Sequence, residues 1–245
     1  MNNRKSNVRW CVTDGHCFLK LGVVELHSVK LELKEVCMKL LLCISLVLNL
    51  IIVGCEIWTL SKIRKKTNII KYYTFLQNFL ALVVSSIFSV CSIVAAFQKG
   101  AIPEFVRGLR YIAACGLIAA MFIYVVFLSS KSENSMREED FISNFSPKKA
   151  NFILHYFCPI ISLLSFVLFE RQIMLTTSEW TGYAAIPSCA YWVIYAVLSA
   201  THLWKEPYDF TPTNAKGKSA LLEVLTMIII PLSFILISYI LWIIR

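Results

Sequence analysis

Along this chain, apolar runs long enough to cross a bilayer alternate with short polar connections. A helix of about 20 apolar residues spans the hydrocarbon core. Six such runs are legible, at roughly 38–60, 72–97, 110–129, 151–169, 182–203 and 220–244. The pattern predicts an all-α polytopic membrane protein, a six-transmembrane-helix bundle. The longest connecting stretches are residues 1–37, 130–150 and 204–219, each too short for a soluble domain. Chemistry is therefore expected inside the spans or at their mouths.

The second run, KYYTFLQNFLALVVSSIFSVCS, carries its polar residues in register. At about 100° per residue, Thr74, Asn78, Ala81, Ser85, Ser89 and Ser92 fall within roughly 80° of one another. Leu76, Phe79, Leu80, Val83, Ile87 and Val90 lie away from that line. One face is predicted to meet lipid and the other protein or a polar cavity. The fifth run has a similar seam in Ser188, Tyr191, Tyr195, Ser199 and His202, for which interhelical hydrogen bonding is the simplest role. In the third, Gly116 and Ala120 stand at small-xxx-small spacing, which permits close helix packing. In the fourth, NFILHYFCPIISLLSFVLFE, Pro159 has no N–H to offer the carbonyl of His155. A kink is predicted there, with that carbonyl available to another partner.

Composition agrees with a membrane: 58% of residues are hydrophobic and 16% charged, against about 25% charged in an average soluble domain. The net charge of +9 does not indicate nucleic acid, because its carriers are dispersed among short loops, densest at Lys62, Arg64, Lys65, Lys66 and Lys71. Juxtamembrane clusters of this kind set orientation and attract anionic headgroups. Basic residues near the spans favour the side bearing loops 61–71, 130–150 and 204–219 as cytoplasmic, with both termini outside. Of the nine cysteines, Cys43, Cys55, Cys91, Cys115, Cys158 and Cys189 lie in spans and read as small hydrophobes. Cys11, His16 and Cys17 match no standard metal spacing, so neither a metal nor a cofactor is expected.

Residues 1–37 are mixed in polarity, and Met38-Lys39 before LLLCISLVLNLIIVG reads like a natural start. The chain is accordingly divided into a polar extension, 1–37, and a membrane domain, 38–245. Ile52-Val53-Gly54-Cys55 meets a loose lipoprotein cleavage pattern. Ile57, Trp58 and Leu60 nevertheless carry the apolar run onward, as a first span does.

With six spans, the second, fourth and sixth begin on the loop-rich side, where the first and fifth end. Thr74, His155 and Glu223 lie near those starts, and Glu56 and His202 about one turn from those ends. Ionisable groups in spans are costly and tend to face the bundle interior or water. Glu56 or Glu223 taken singly reads more simply as a solvated helix-end residue. Five polar groups at one depth point instead to a site.

The segments KYYTFLQNFLAL, NFILHYFCPIISLLSFVLFE and YWVIYAVLSATHLWKEPYDF, in this order and at these separations, resemble the androgen-induced-gene family of multispan membrane proteins, including its bacterial branch. The resemblance covers roughly residues 38–243. Animal members of that family are membrane threonine hydrolases that cleave fatty acid esters of hydroxy fatty acids. By position in the motif, the threonine falls on Thr74 and the histidine on His155, two of the five groups that the depth argument also brings together. The implied protein is a hydrolase of a bacterial cell membrane. Its partners would be membrane lipids, with a lipophilic ester entering from the bilayer.

In such an enzyme His155 takes the Thr74 proton, the threonine oxygen attacks the ester carbonyl, and an acyl-threonine is then hydrolysed. Asn78, one turn along the same face, is the first candidate for oxyanion support and Gln77 the second. Glu223, Glu56 or His202 is a candidate to orient His155. No G-x-S-x-G elbow or H-E-x-x-H motif is present. Two readings from other classes keep the bundle without catalysis: a transporter or small-ligand binder lined by the polar seams, and a scaffold whose polar residues only join helices.

Overall fold

In hydrocarbon, backbone N–H and C=O groups must find partners within the protein, which makes helices the natural form for separate apolar runs. The computed structural model describes residues 16–63, 72–98, 100–128, 146–170, 175, 177–201 and 220–244. Its helices are α1 (His16–Ser61), α2 (Tyr73–Gln98), α3 (Glu104–Ile123), α4 (beginning at Pro147–Phe152), α5 (Glu179–Ala200) and α6 (Ala220–Ile244). Among the described residues there is no strand. Among the described residues five helices are long and apolar enough to cross a membrane, and α6 has a described apolar portion at Ile228–Ile244. The fold is that of an all-α polytopic membrane protein.

Two helices are not regular throughout. The α3 helix continues through a π turn at Tyr124–Leu128. The α4 helix alternates, with a π turn at Ile153–Phe157, an α segment at Cys158–Leu164 and a second π turn at Ser165–Phe169.

The chain divides into two units, Met1–Leu40 and Leu41–Arg245. In the first, the helix starts at His16, so the segment read as a polar extension is already helical well ahead of Met38. Val29, Leu33 and Val36 are exposed there, and Lys39 pairs with Glu35 one turn away at 2.7 Å. An exposed pair of this kind contributes little to stability.

In the second unit α3 is the central helix, packed against α2, α4, α5 and α6. Its small residues explain the position: Ala113, Ala114, Gly116, Ala119 and Ala120 are all buried and let neighbouring backbones approach. At Gly116 the space a Cβ would need is taken by the Gln77 amide of α2, and at Gly108 by the ring of Trp180. The expected close packing at Gly116 is therefore present, with Gln77 as the neighbour.

The lipid-facing and inward-facing halves of α2 separate as its periodicity predicts. Thr74, Asn78, Ala81, Ser85, Ser89 and Ser92 are all buried, whereas Phe79, Val83, Ile87 and Val90 are exposed. Leu76 and Leu80 are half-buried at the edges of that face. The α5 seam also turns inward where it is described: Ser188 hydrogen-bonds Tyr73 at 2.6 Å, and Tyr191 and Tyr195 are buried. Tyr73 lies against both Tyr191 and Phe234, which joins α2, α5 and α6 in one aromatic cluster.

Candidate functional site

Thr74 sits in the first turn of α2, buried at 4% exposure. One turn on, Asn78 is fully buried and donates through Nδ2 to the Thr74 carbonyl at 2.7 Å and to the Leu154 carbonyl of α4 at 3.4 Å. The second bond has a cause in the α4 sequence. In the π turn the Cys158 N–H bonds the Ile153 carbonyl, five residues back. In that register the donor for the Leu154 carbonyl would be the N–H of residue 159, and Pro159 has none. Asn78 supplies it. The expected consequence of Pro159 is thus displaced by one residue: the carbonyl answered by another helix is Leu154's, not that of His155.

His155 lies in the middle of this turn and is buried. Its ring stacks on Tyr124 with centroids 3.9 Å apart and planes at 20°, and Tyr156 in turn meets Tyr124 edge-on at 5.6 Å. Tyr124 opens the π turn that ends α3, so two widened turns face each other across the stack. The stack fixes the plane of the imidazole. Its Nδ1 is buried without a hydrogen-bond partner.

The bridge through Asn78 therefore brings the Thr74-bearing turn and the His155-bearing turn together. No hydrogen bond joins Thr74 Oγ1 to His155 among the described residues. Asn78 Oδ1 and Gln77 Oε1 are likewise buried and unpartnered. Reversing the Asn78 amide would set its oxygen against two carbonyls, so as placed this residue offers the site an acceptor. To serve an oxyanion it has to release one of its two bonds.

Glu56 is fully buried, and its carboxyl lies near enough to the Cys158 thiol to interact, although neither oxygen has a hydrogen bond of normal geometry. That contact puts Glu56 beside the turn following His155. His202 lies outside the described residues. Glu223 is on α6, with its side chain outside the described residues.

No family model, curated protein or solved structure matches this chain. The site is accordingly read from its own geometry.

At the far end of α4 stands a second polar cluster that the apolar and polar pattern of the chain does not announce. Arg110 and Glu170 form a buried ion pair at 3.3 Å. Glu170 Oε1 also accepts from Ser165 at 2.6 Å, Ser45 at 3.0 Å and Asn49 at 3.1 Å. Arg110 donates to the Ser162 hydroxyl at 2.9 Å and its carbonyl at 3.3 Å. The second π turn builds this arrangement: the Glu170 N–H reaches back to the Ser165 carbonyl, which sets the two side chains face to face. Arg110, the first residue of the third apolar run, is 1% exposed. It is a member of the bundle interior and leaves the set of charges that orient the protein. The signal was present, since the third span begins and the fourth ends on the same side, each with an opposite charge.

Proposed function

We propose that this protein is an intramembrane hydrolase of lipid esters, with Thr74 as nucleophile and His155 as base. The observation that carries the reading is the Asn78 bridge, which holds the first turn of α2 against the turn of α4 that bears His155. A neutral imidazole with an unpartnered nitrogen is the acceptor that a threonine hydroxyl needs before it attacks a carbonyl. Thr74 Oγ1 would form the bond to the acyl carbon as its proton passes to His155, and the alcohol would leave with that proton. Water, deprotonated by His155, would then release the acid and restore the threonine. The resemblance to the androgen-induced-gene family supports the same two residues and suggests a fatty-acyl ester, entering from the bilayer of a bacterial cell membrane.

A fluorophosphonate probe in membranes tests the reading on the full chain. Wild type is expected to take the label, and Thr74→Ala and His155→Ala to lose it while keeping wild-type behaviour on gel filtration in detergent. Label that survives Thr74→Ala, or well-folded wild type that takes none, would sink the site.

One observation favours a second reading, a binding or transport path. The hydroxyls of Ser85 and Ser89 continue the α2 seam beyond Asn78, buried and without partners. A hydrated path would satisfy them. Such a protein would tolerate Thr74→Ala, so the same variant separates the two.

A further inference from the structure

The bundle carries a lateral groove of ≈ 460 Å³ between the end of α1 and the start of α4. Its walls are apolar, built from Trp58, Phe152, Ile153 and Phe157. Trp58 and Phe152 are 46% and 57% exposed, more surface than large aromatics hidden in a helix interface would leave. At its rim stand Lys148 and Lys149, both exposed and in the first turn of α4, where the chain enters the membrane. A second groove, ≈ 340 Å³ between α5 and α6, is lined by Thr181, Ile186, Ile235 and Tyr239 among others and has no charged residue. Nothing in that lining selects one headgroup over another. The first joins an acyl-sized apolar channel to a pair of cations at headgroup level, with an aromatic ring suited to the interface.

We propose that the α1/α4 groove is a binding site for an anionic phospholipid, one acyl chain lying along Phe152 and Phe157 and the phosphate held by Lys148 and Lys149. The occupant comes from the leaflet on that side of the bilayer. Charge complementarity selects it over a zwitterionic lipid with the same chains, whose headgroup gains no net attraction from the two lysines. The site is independent of the hydrolase reading, because it uses neither Thr74 nor His155. Its lining includes Ile153 and Phe157, the two ends of the π turn that holds His155, so an occupant would bear directly on that turn.

Native mass spectrometry of the purified full-length protein, with phosphatidylglycerol and phosphatidylcholine of matched chains added in competition, tests the proposal. Wild type is expected to retain phosphatidylglycerol preferentially. Lys148→Gln combined with Lys149→Gln should lower that preference roughly ten- to twenty-five-fold, each lysine beside an anionic headgroup being worth about a five-fold preference. Lys148→Glu with Lys149→Glu should reverse it. Both residues are exposed, so folding is not at stake. The control, Lys30→Gln with Lys34→Gln, removes the same charge from exposed positions of the first unit and should leave the preference unchanged. Equal retention of the two lipids by wild type would overturn the proposal. So would a preference that survives loss of Lys148 and Lys149, or one that the control lowers as much.

Discussion

The two ends of α4 hold polar clusters of similar residue types and opposite hydrogen-bond balance. His155 and Glu170 are separated along the helix by roughly 20 Å at 1.5 Å per residue. At the Glu170 end, donors from α1, α3 and α4 converge on one carboxylate oxygen, and of the side chains named there Asn49 Oδ1 is left without a partner. At the His155 end, more buried polar atoms stand without a hydrogen bond of normal geometry: His155 Nδ1, Asn78 Oδ1, Gln77 Oε1 and both oxygens of Glu56. Buried polar groups are nearly always hydrogen-bonded, and a satisfied network fixes one arrangement of helices. A cluster left short of partners costs stability and has room for water or another polar group. The first cluster ties three helices together, and the second is where the proposed hydrolase would act.

Removing one partner of the satisfied pair breaks the comparison most severely. Glu170→Ala would strand the Arg110 guanidinium in the bundle, at a cost of about 3–5 kcal/mol. Thermal unfolding in detergent should register it, together with a loss of monodisperse protein on gel filtration. Replacing both residues by apolar ones, Arg110→Met with Glu170→Leu, should recover most of that loss, because the buried charge goes with its partner. If Glu170→Ala unfolds no more readily than wild type, the network is not what holds α1, α3 and α4 together.

Gly116→Val is expected to act less strongly, by about 1–3 kcal/mol, through overpacking against Gln77. It also sharpens the comparison, since Gln77 belongs to the under-satisfied cluster. Labelling by the fluorophosphonate should fall more than the stability loss explains. A purely thermal effect would leave Gln77 outside the site.

Periodicity made much of this legible. All six positions on the polar line of α2 are buried, because a helix of fixed pitch in a two-sided environment must sort its faces. Other features depended on partners that no single segment reveals. Arg110 stands at the first position of the third run, and its burial is tolerable because Glu170 and Ser162, both on the next span, pair with its guanidinium. The π turns were not foreseen either. Pro159 announced a local irregularity in α4, but whether the helix kinks or widens depends on which neighbour can answer the freed carbonyl, and that neighbour is Asn78 on another helix. Within the candidate site, residue types and depth could be read, while the Tyr124 stack on His155 could not, since it joins two turns of irregular register.

The smallest expected change in stability carries the sharpest test of that last point. Pro159→Ala would restore an N–H within the helix and let the turn at Ile153–Phe157 relax to α geometry. The gain in helix propensity would be offset by the lost packing of a buried proline and by the Leu154 carbonyl exchanging Asn78 for a backbone donor. The net change in stability should stay within about 1 kcal/mol. Removing the extra residue of a π turn, however, rotates the preceding segment by about 100° relative to the remainder of the helix. His155 could not then keep both its stack on Tyr124 and its place beside the Asn78 bridge. Labelling should fall by at least ten-fold in a protein that is otherwise as stable as wild type. Unchanged labelling would mean that the π turn is only a way of accommodating a proline, and that the orientation of His155 rests on Tyr124 alone.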